Sequence, residues 1–246
     1  DDERERFISA FIHWPIFDDT TKRDWWAVTE DKWLSGTFLE ACDIPVPETV
    51  AVIDRSARLY PNTPVIKDVA ALQAFLNKNT GQFFAKSQSS MWSAGAFVIE
   101  GADAEMVQIK GNEAISFSDF FDVYIADGAF VLQKLIKTHS FFDDITDATA
   151  TVRLINMVND DGVFNPFAVL KLPAGNSIAD NFWRGDNLVC ALDVNTGEIL
   201  TLVGKNEMGY ENLDAIPNSN RTLIAEVLPF WDEIKALNET VALMHH

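Results

Sequence analysis

The chain reads as an α+β protein in two lobes that meet near residue 136. Three observations predict this. A helical, aromatic-rich opening stretch ends at a proline-containing crossing. Strand and helix patterns alternate from about residue 50. The second half is richer in strands and carries two hairpin signals. The division expected is a helical segment over 1–49, a first lobe over 50–135 and a second lobe over 136–246.

In the opening stretch Trp14, Trp25, Trp26 and Trp33 crowd together, as side chains packed between short helices do. Thr29 is a suitable N-cap for an amphipathic helix from Glu30 to Ala41. That helix must stop at Asp43-Ile44-Pro45-Val46-Pro47, because residues before proline leave the α region. An extended crossing into the next lobe follows.

Val50–Ile53 reads as a short strand. Asp68–Asn77 reads as a helix with Val69, Leu72, Phe75 and Leu76 on its apolar side. Gln82–Lys86 is a strand, Ser87–Ala94 a loop of small and polar residues, and Gly95–Glu100 a strand that pairs back across it. Ser116–Tyr124 reads as a helix and Ala129–Leu135 as a strand. In the second half Ala150–Val158 and Asn165–Leu172 are the clearest strands, with Asp160-Asp161-Gly162 as the turn between them. Asn187–Val194 and Glu198–Val203 form a further hairpin around Asn195-Thr196-Gly197. A helix from Phe230 to about Met244 follows Pro229. No internal repeat and no low-complexity segment occurs.

Composition excludes several classes. The longest apolar runs, such as Leu188-Val189-Cys190-Ala191-Leu192, are too short to cross a bilayer. The first six residues are charged and lack the apolar core of a signal peptide. A cytoplasmic protein with no membrane association is expected. Two cysteines, Cys42 and Cys190, and four histidines give neither a zinc site nor a disulfide framework, and both cysteines read as buried thiols. A net charge of −18 repels a nucleic-acid backbone, so no nucleic-acid partner is expected. It does not exclude a small phosphate compound, which needs only local cations. No phosphate loop, dinucleotide fingerprint, zincin motif or nucleophile elbow is present, and neither His13 nor His139 has the context of a catalytic triad.

What remains is a scattered set of cations. Lys86 ends the apolar strand Phe83-Phe84-Ala85-Lys86, beside a loop containing Ser89 and Ser90, where it could reach phosphate oxygens. Arg153 and Lys171 sit inside apolar strands, where an unpaired cation is costly. Asp180 to Asn187 packs charge, amide and aromatic groups, including Asn181 and Arg184, into one turn. Taken singly, each strand cation fits an internal ion pair. Taken together, four cations on adjacent strands point to an anion pocket.

These stretches resemble the ATP-grasp superfamily, in particular its sugar-transfer-associated branch, and the likeness runs in order through nearly the whole chain. Asp31-Lys32, a helix and Ile44-Pro45-Val46-Pro47 look like the family's entry lysine and its G-I-P-x-P segment, with Asp43 in place of glycine. Phe84-Ala85-Lys86 looks like the second nucleotide lysine, followed by the phosphate-covering loop. Val131 to Ile136 is similar to the strand and hinge that pass the adenine, with Gln133 where an acid is frequent; His139 fits a histidine after that hinge. Thr151-Val152-Arg153 looks like the N-T-x-R strand, with Ala150 in place of asparagine. Asp180-Asn181 through Arg184-Gly185, then Leu192 to Gly197, is similar to D-N-x-x-x-G-G and V-D-x-x-T-G, with Asp186 replacing the second glycine.

The resemblance implies an ATP-grasp fold with ATP and Mg2+ between the lobes. Lys32, Lys86, Ser89, Ser90, Gln133, Lys134, Leu135 and Ile136 would contact the nucleotide; Arg153, Lys171, Asn181 and Arg184 would face the γ-phosphate. The chemistry implied joins a carboxylate, small-molecule or peptide, to an amine through an acyl phosphate. A sugar or hydroxyl-compound kinase and a nucleotide-binding protein without catalysis are the alternatives. The family's magnesium ligands follow the helix at 230–244. The second lobe is therefore expected to be C-terminally incomplete, and the metal ligands and oligomeric state stay unassigned.

Overall fold

Period-two alternation in the strands decides which side chains meet the core and which face a cleft. The computed structural model describes residues 15–16, 25–90, 95–217, 219 and 221–245. Two helices open the described chain, α1 (Trp26–Glu30) and α2 (Lys32–Ala41). The single helix expected from Glu30 is thus broken at Asp31. Thr29 does not cap it: its hydroxyl donates back to the Trp25 and Trp26 carbonyls. Asp31 is the cap, its Oδ1 accepting from the N–H groups of Trp33 and Leu34, each at 3.0 Å. The tryptophans split in role. Trp33 is buried, Trp25 packs against Phe38 and His245, and Trp14 lies outside the described residues.

After α2 the chain turns through Asp43 at φ 59°, the left-handed conformation that glycine adopts most easily. Ile44 N–H closes the turn on the Leu39 carbonyl at 2.9 Å. This explains why a glycine suits the position and what Asp43 must tolerate.

The next strands are β1 (Thr49–Ile53), β2 (Val65–Ile66), β3 (Phe83–Ser87), β4 (Phe97–Ala102), β5 (Met106–Ile109), β6 (Ile115–Ser116) and β7 (Phe130–Lys134), with helix α3 (Val69–Lys78) between β2 and β3. They form one seven-stranded sheet in the order β2-β1-β7-β3-β4-β5-β6. Helix α4 (Phe117–Phe120) runs into a π-helical turn, Phe121–Ile125. Ile53, Phe83, Ile99 and Leu132 pack with Leu72 of α3 and Phe120 of α4 on one face of the sheet. The alternate residues Phe84, Lys86, Val98 and Gln133 lie on the other.

The second sheet has five strands in the order β14-β13-β12-β11-β8: β8 (Thr151–Leu154), β11 (Ala168–Leu172), β12 (Leu188–Leu192), β13 (Ile199–Asn206) and β14 (Gly209–Asn212). The long strand expected over 150–158 is interrupted at Ile155 and Asn156. Its far end forms a small separate hairpin of β9 (Met157–Asn159) and β10 (Gly162–Phe164) around the expected Asp160-Asp161 turn. Leu170, Cys190, Leu202 and Trp231 fill the core beneath, under helix α5 (Trp231–Met244). Burial pushes the Cys190 thiol up to about 12, as an inert core thiol, whereas Cys42 is only half-buried. Gly197, at φ 74°, passes so close to this helix that a Cβ would stand 2.5 Å from the Trp231 ring. Among the described residues, no helix is long and apolar enough to cross a membrane.

Candidate functional site

Cross-strand register builds one wall of a cleft. Phe84 lies between Gln133 and Val98, and Lys86 is one pleat further along, opposite Val131. Lys110, just past β5, donates its N–H to the Val98 carbonyl at 3.0 Å and extends this wall. The facing wall comes from the second sheet, where Thr151 pairs with Lys171 and Arg153 with Val169, so these four side chains share a face. Between the walls is a cavity of about 680 Å³, within the range of small-molecule sites.

Five cations line it: Lys32, Lys86, Lys110 and Arg153 from four separate stretches, and Lys134 at the rim. Among the described residues the side chains of Lys86, Lys110 and Arg153 form no hydrogen bond and no ion pair, and the Lys86 ammonium lies 5.6 Å from the Phe84 ring. Burial first, and the nearby Lys32 ammonium second, hold Lys86 below its ordinary value against the attraction of Asp180. Lys32 is lowered in the same direction by burial, opposed by Asp31. The cleft therefore holds more positive charge than its own carboxylates answer. Its other end is apolar, lined by Phe84, Val98, Leu135 and Ile136.

Lys32 is held in place by a polar network absent from the sequence reading. Its N–H donates to the Gln88 carbonyl at 3.0 Å and its Nζ to the Ser90 carbonyl at 2.7 Å. Gln88 Nε2 donates to both oxygens of Asp31, at 2.9 and 3.1 Å, and Arg58 Nη1 donates to Asp31 Oδ2 at 2.6 Å. Tyr60 donates to the buried Asp54 at 2.5 Å, and its hydroxyl lies 2.9 Å from Gln88 Oε1. Burial would raise the Asp31 carboxyl, but bonds from Leu34, Arg58 and Gln88 leave it below the ordinary value.

The other expected site residues are placed unequally. Ser90 lines the cleft and Ser89 is exposed outside its lining. Gln133, Lys134, Leu135 and Ile136 form one rim. Gln133 is buried, and its Nε2 donates to the Pro47 carbonyl and Thr49 Oγ1, bracing the proline crossing. Lys134 pairs with Glu48 at 2.5 Å, Leu135 N–H donates to the Gln82 carbonyl, and the Ile136 carbonyl accepts from Thr149. Lys171 stands behind the cleft surface, its Nζ 2.9 Å from Asp180 Oδ2, which Thr151 also bonds. Burial raises the Asp180 carboxyl, but these two donors bring it below the usual value. Asn181 is buried in the turn that follows, and Arg184 is exposed there, outside the cleft lining. Of the four cations expected in one pocket, Lys86 and Arg153 line the same cleft, Lys171 pairs with Asp180 on its wall, and Arg184 lies outside the lining.

A family model described as sugar-transfer associated ATP-grasp matches residues 18–246. The chain belongs to that family. No curated protein and no solved structure matches it. Membership of the sugar-transfer associated ATP-grasp family makes the two-sheet architecture an ATP-grasp fold, a fold that binds nucleotide. Magnesium is a separate matter. Among the described residues no group of three or more His, Cys, Asp and Glu side chains gathers, and Asp180 already serves Lys171 and Thr151. The described residues thus offer no ready-made carboxylate cluster for magnesium.

Sequence reading missed Lys110, Thr151 and the Asp31–Gln88–Arg58 cluster. Thr151 was within reach, since alternation puts it on the face of Arg153. Lys110 was not, because β5 was unread. The Asp31 cluster joins residues 27 and 57 positions apart, which spacing cannot reveal.

Proposed function

We propose that the cleft binds ATP and that the protein is a ligase, joining a carboxylate to an amine through an acyl phosphate. Three cations whose side chains make no hydrogen bond or ion pair, Lys86, Lys110 and Arg153, face one cavity with an apolar end and carry this reading. An apolar slot beside Leu135 and Ile136 suits a purine. Lys32, Lys86 and Lys110 suit the triphosphate, and Arg153 approaches from the facing sheet toward the γ-phosphate. Lys171 is a positioning residue that fixes Asp180, Asn181 organises the adjoining turn, and Arg184 has no part at the phosphates.

In the first step an acceptor carboxylate oxygen attacks the γ-phosphorus and ADP leaves with the bonding electrons. An amine then attacks the acyl carbon, phosphate departs, and the amine's proton passes to solvent. Charge spreads over phosphoryl oxygens in the first step, which fixed ammonium and guanidinium groups stabilise without reorganising. A histidine is not required.

The test is Lys86→Ala. Calorimetry should show ATP binding weakened at least about tenfold, the loss of one charge-assisted contact. ADP release dependent on an acid plus an amine should disappear with it. Unchanged affinity and turnover would remove the proposal, and phosphate found attached to a product instead of free would make the enzyme a kinase.

A further inference from the structure

Phe182, Trp183 and Tyr210 form a cluster outside the cleft. Their ring centroids lie 5.5, 5.9 and 5.7 Å apart in the three pairings, so each ring touches the other two. Trp183 is nevertheless 68% exposed and Tyr210 61%. The loop presenting them is firmly built. Asn187, only 1% exposed, accepts from Ala174 N–H and donates to the carbonyls of Ala179 and Asn181. Asn181 Oδ1 accepts from Trp183 N–H at 3.0 Å. Gly185, at φ 55°, lies where a Cβ would come within 2.7 Å of Ser177 Oγ. Buried amides with satisfied bonds hold the turn, so the outward tryptophan is a product of the fold.

We infer that these rings are a saccharide-binding platform at the mouth of the cleft, the subsite for the sugar portion of an acceptor. Its service to an acceptor rests on the nucleotide reading above; its binding of a sugar does not. Spacing excludes a caged ammonium ion, since rings in mutual contact leave no gap between them, and Lys205 already covers Phe182 at 5.4 Å. Size excludes a stable protein interface. Three rings and the exposed Met208 fall far short of the roughly 800 Å² per partner such an interface needs, but one pyranose face matches them. The flanking groups are polar and exposed: Arg184, Asp186, Glu207 and Glu211, with the Tyr210 hydroxyl. Sugar hydroxyls can bond to these while the C–H face stacks on an indole. Location completes the case. Ile178, Ala179 and Asp180 line the cleft, and Phe182 follows two residues later, a reach of about 7 Å at most.

The experiment titrates the whole chain, without ATP, with methyl β-glucopyranoside, chitotriose and maltotriose. The readouts are heat and the Trp183 indole N–H resonance, assigned by its loss in Trp183→Ala. At least one sugar should give a saturable shift, and Trp183→Ala should bind it about tenfold more weakly while keeping the wild-type thermal shift with ATP. No saturable response to any of the three, or equal binding by the variant, overturns the proposal. So does a concentration-dependent dimer that Trp183→Ala dissolves, which would make the patch an interface between copies. Sugar binding that persists where ATP fails to bind leaves the platform standing and sinks the nucleotide reading; the reverse pattern does the opposite.

Discussion

Asp180 shows how one residue's role is decided by its neighbour. An alternating strand marks Lys171 as a cation facing inward, which fits either a bound phosphate or an internal ion pair. The structure takes the second option, at 2.9 Å, and sets the paired carboxylate on the cleft wall. Removing the cation by Lys171→Met leaves Asp180 half-buried with only Thr151 as a side-chain donor. Unfolding in urea should show a loss of about 2 kcal/mol at neutral pH, the scale of one hydrogen bond to a charged group. The pH dependence follows from the direction of the shift. Asp180 is held below its unfolded value, near 3.9, so its contribution is complete above that value and fades as pH falls through the lower folded one. In the variant the carboxyl rises and protonates earlier. The gap between the two proteins should therefore narrow as pH drops toward 4 and below; a gap independent of pH would show that Lys171 acts through packing alone.

At the scale of elements, α2 depends on a residue that belongs to no helix. Asp31 caps it, receives Arg58 and ties down the Gln88 amide, and Lys32, the first residue of the helix, is positioned as a result. Asp31→Ala should cost about 2 kcal/mol or more, a cap plus a stranded buried amide, and should weaken ATP as well. Asp31→Asn, which can still cap, should recover much of the stability; denaturation midpoints and calorimetry on both variants decide. Equal loss from both substitutions would mean that the ion pair with Arg58 outweighs the cap. Such elements also show which parts of a fold can be read from a sequence. Strands with long alternation, β3, β7, β11 and β12, were found, because one face must be apolar throughout. So was the hairpin turn at Asn195 to Gly197, where Asp193 Oδ1 takes the N–H groups of Asn195 and Thr196. The strands missed were β2 and β6, each two residues long, together with β5, β10 and β14. Every residue of β14 is exposed, so no apolar period was there to see. The site followed the same division. Lys86 and Arg153 carry a local signal, a cation interrupting an apolar strand, whereas the Asp31 cluster arises only from tertiary contact.

Across the whole molecule, a net charge of −18 coexists with a cleft that gathers cations. The two are compatible because charges beyond about 10 Å are screened at 0.1 M salt, while Lys86, Lys110 and Arg153 act at contact range on whatever lies between the sheets. A ligand that bridges the sheets must bind only the folded chain, so its affinity adds to stability. At a hundred times its Kd, ATP should contribute about 2.7 kcal/mol, a rise of roughly 5–10 °C in melting temperature for a chain of this size. Dissecting the ligand separates the two ends of the cleft. AMP offers the purine to the slot beside Leu135 and Ile136 but only one phosphate to the cations. Tripolyphosphate offers the charge without the purine. At equal concentration each should shift the melting temperature by less than ATP, and Arg153→Ala should erase most of ATP's advantage over AMP while leaving the AMP shift unchanged. If AMP stabilises the protein as well as ATP does, the unpaired cations face something other than a triphosphate.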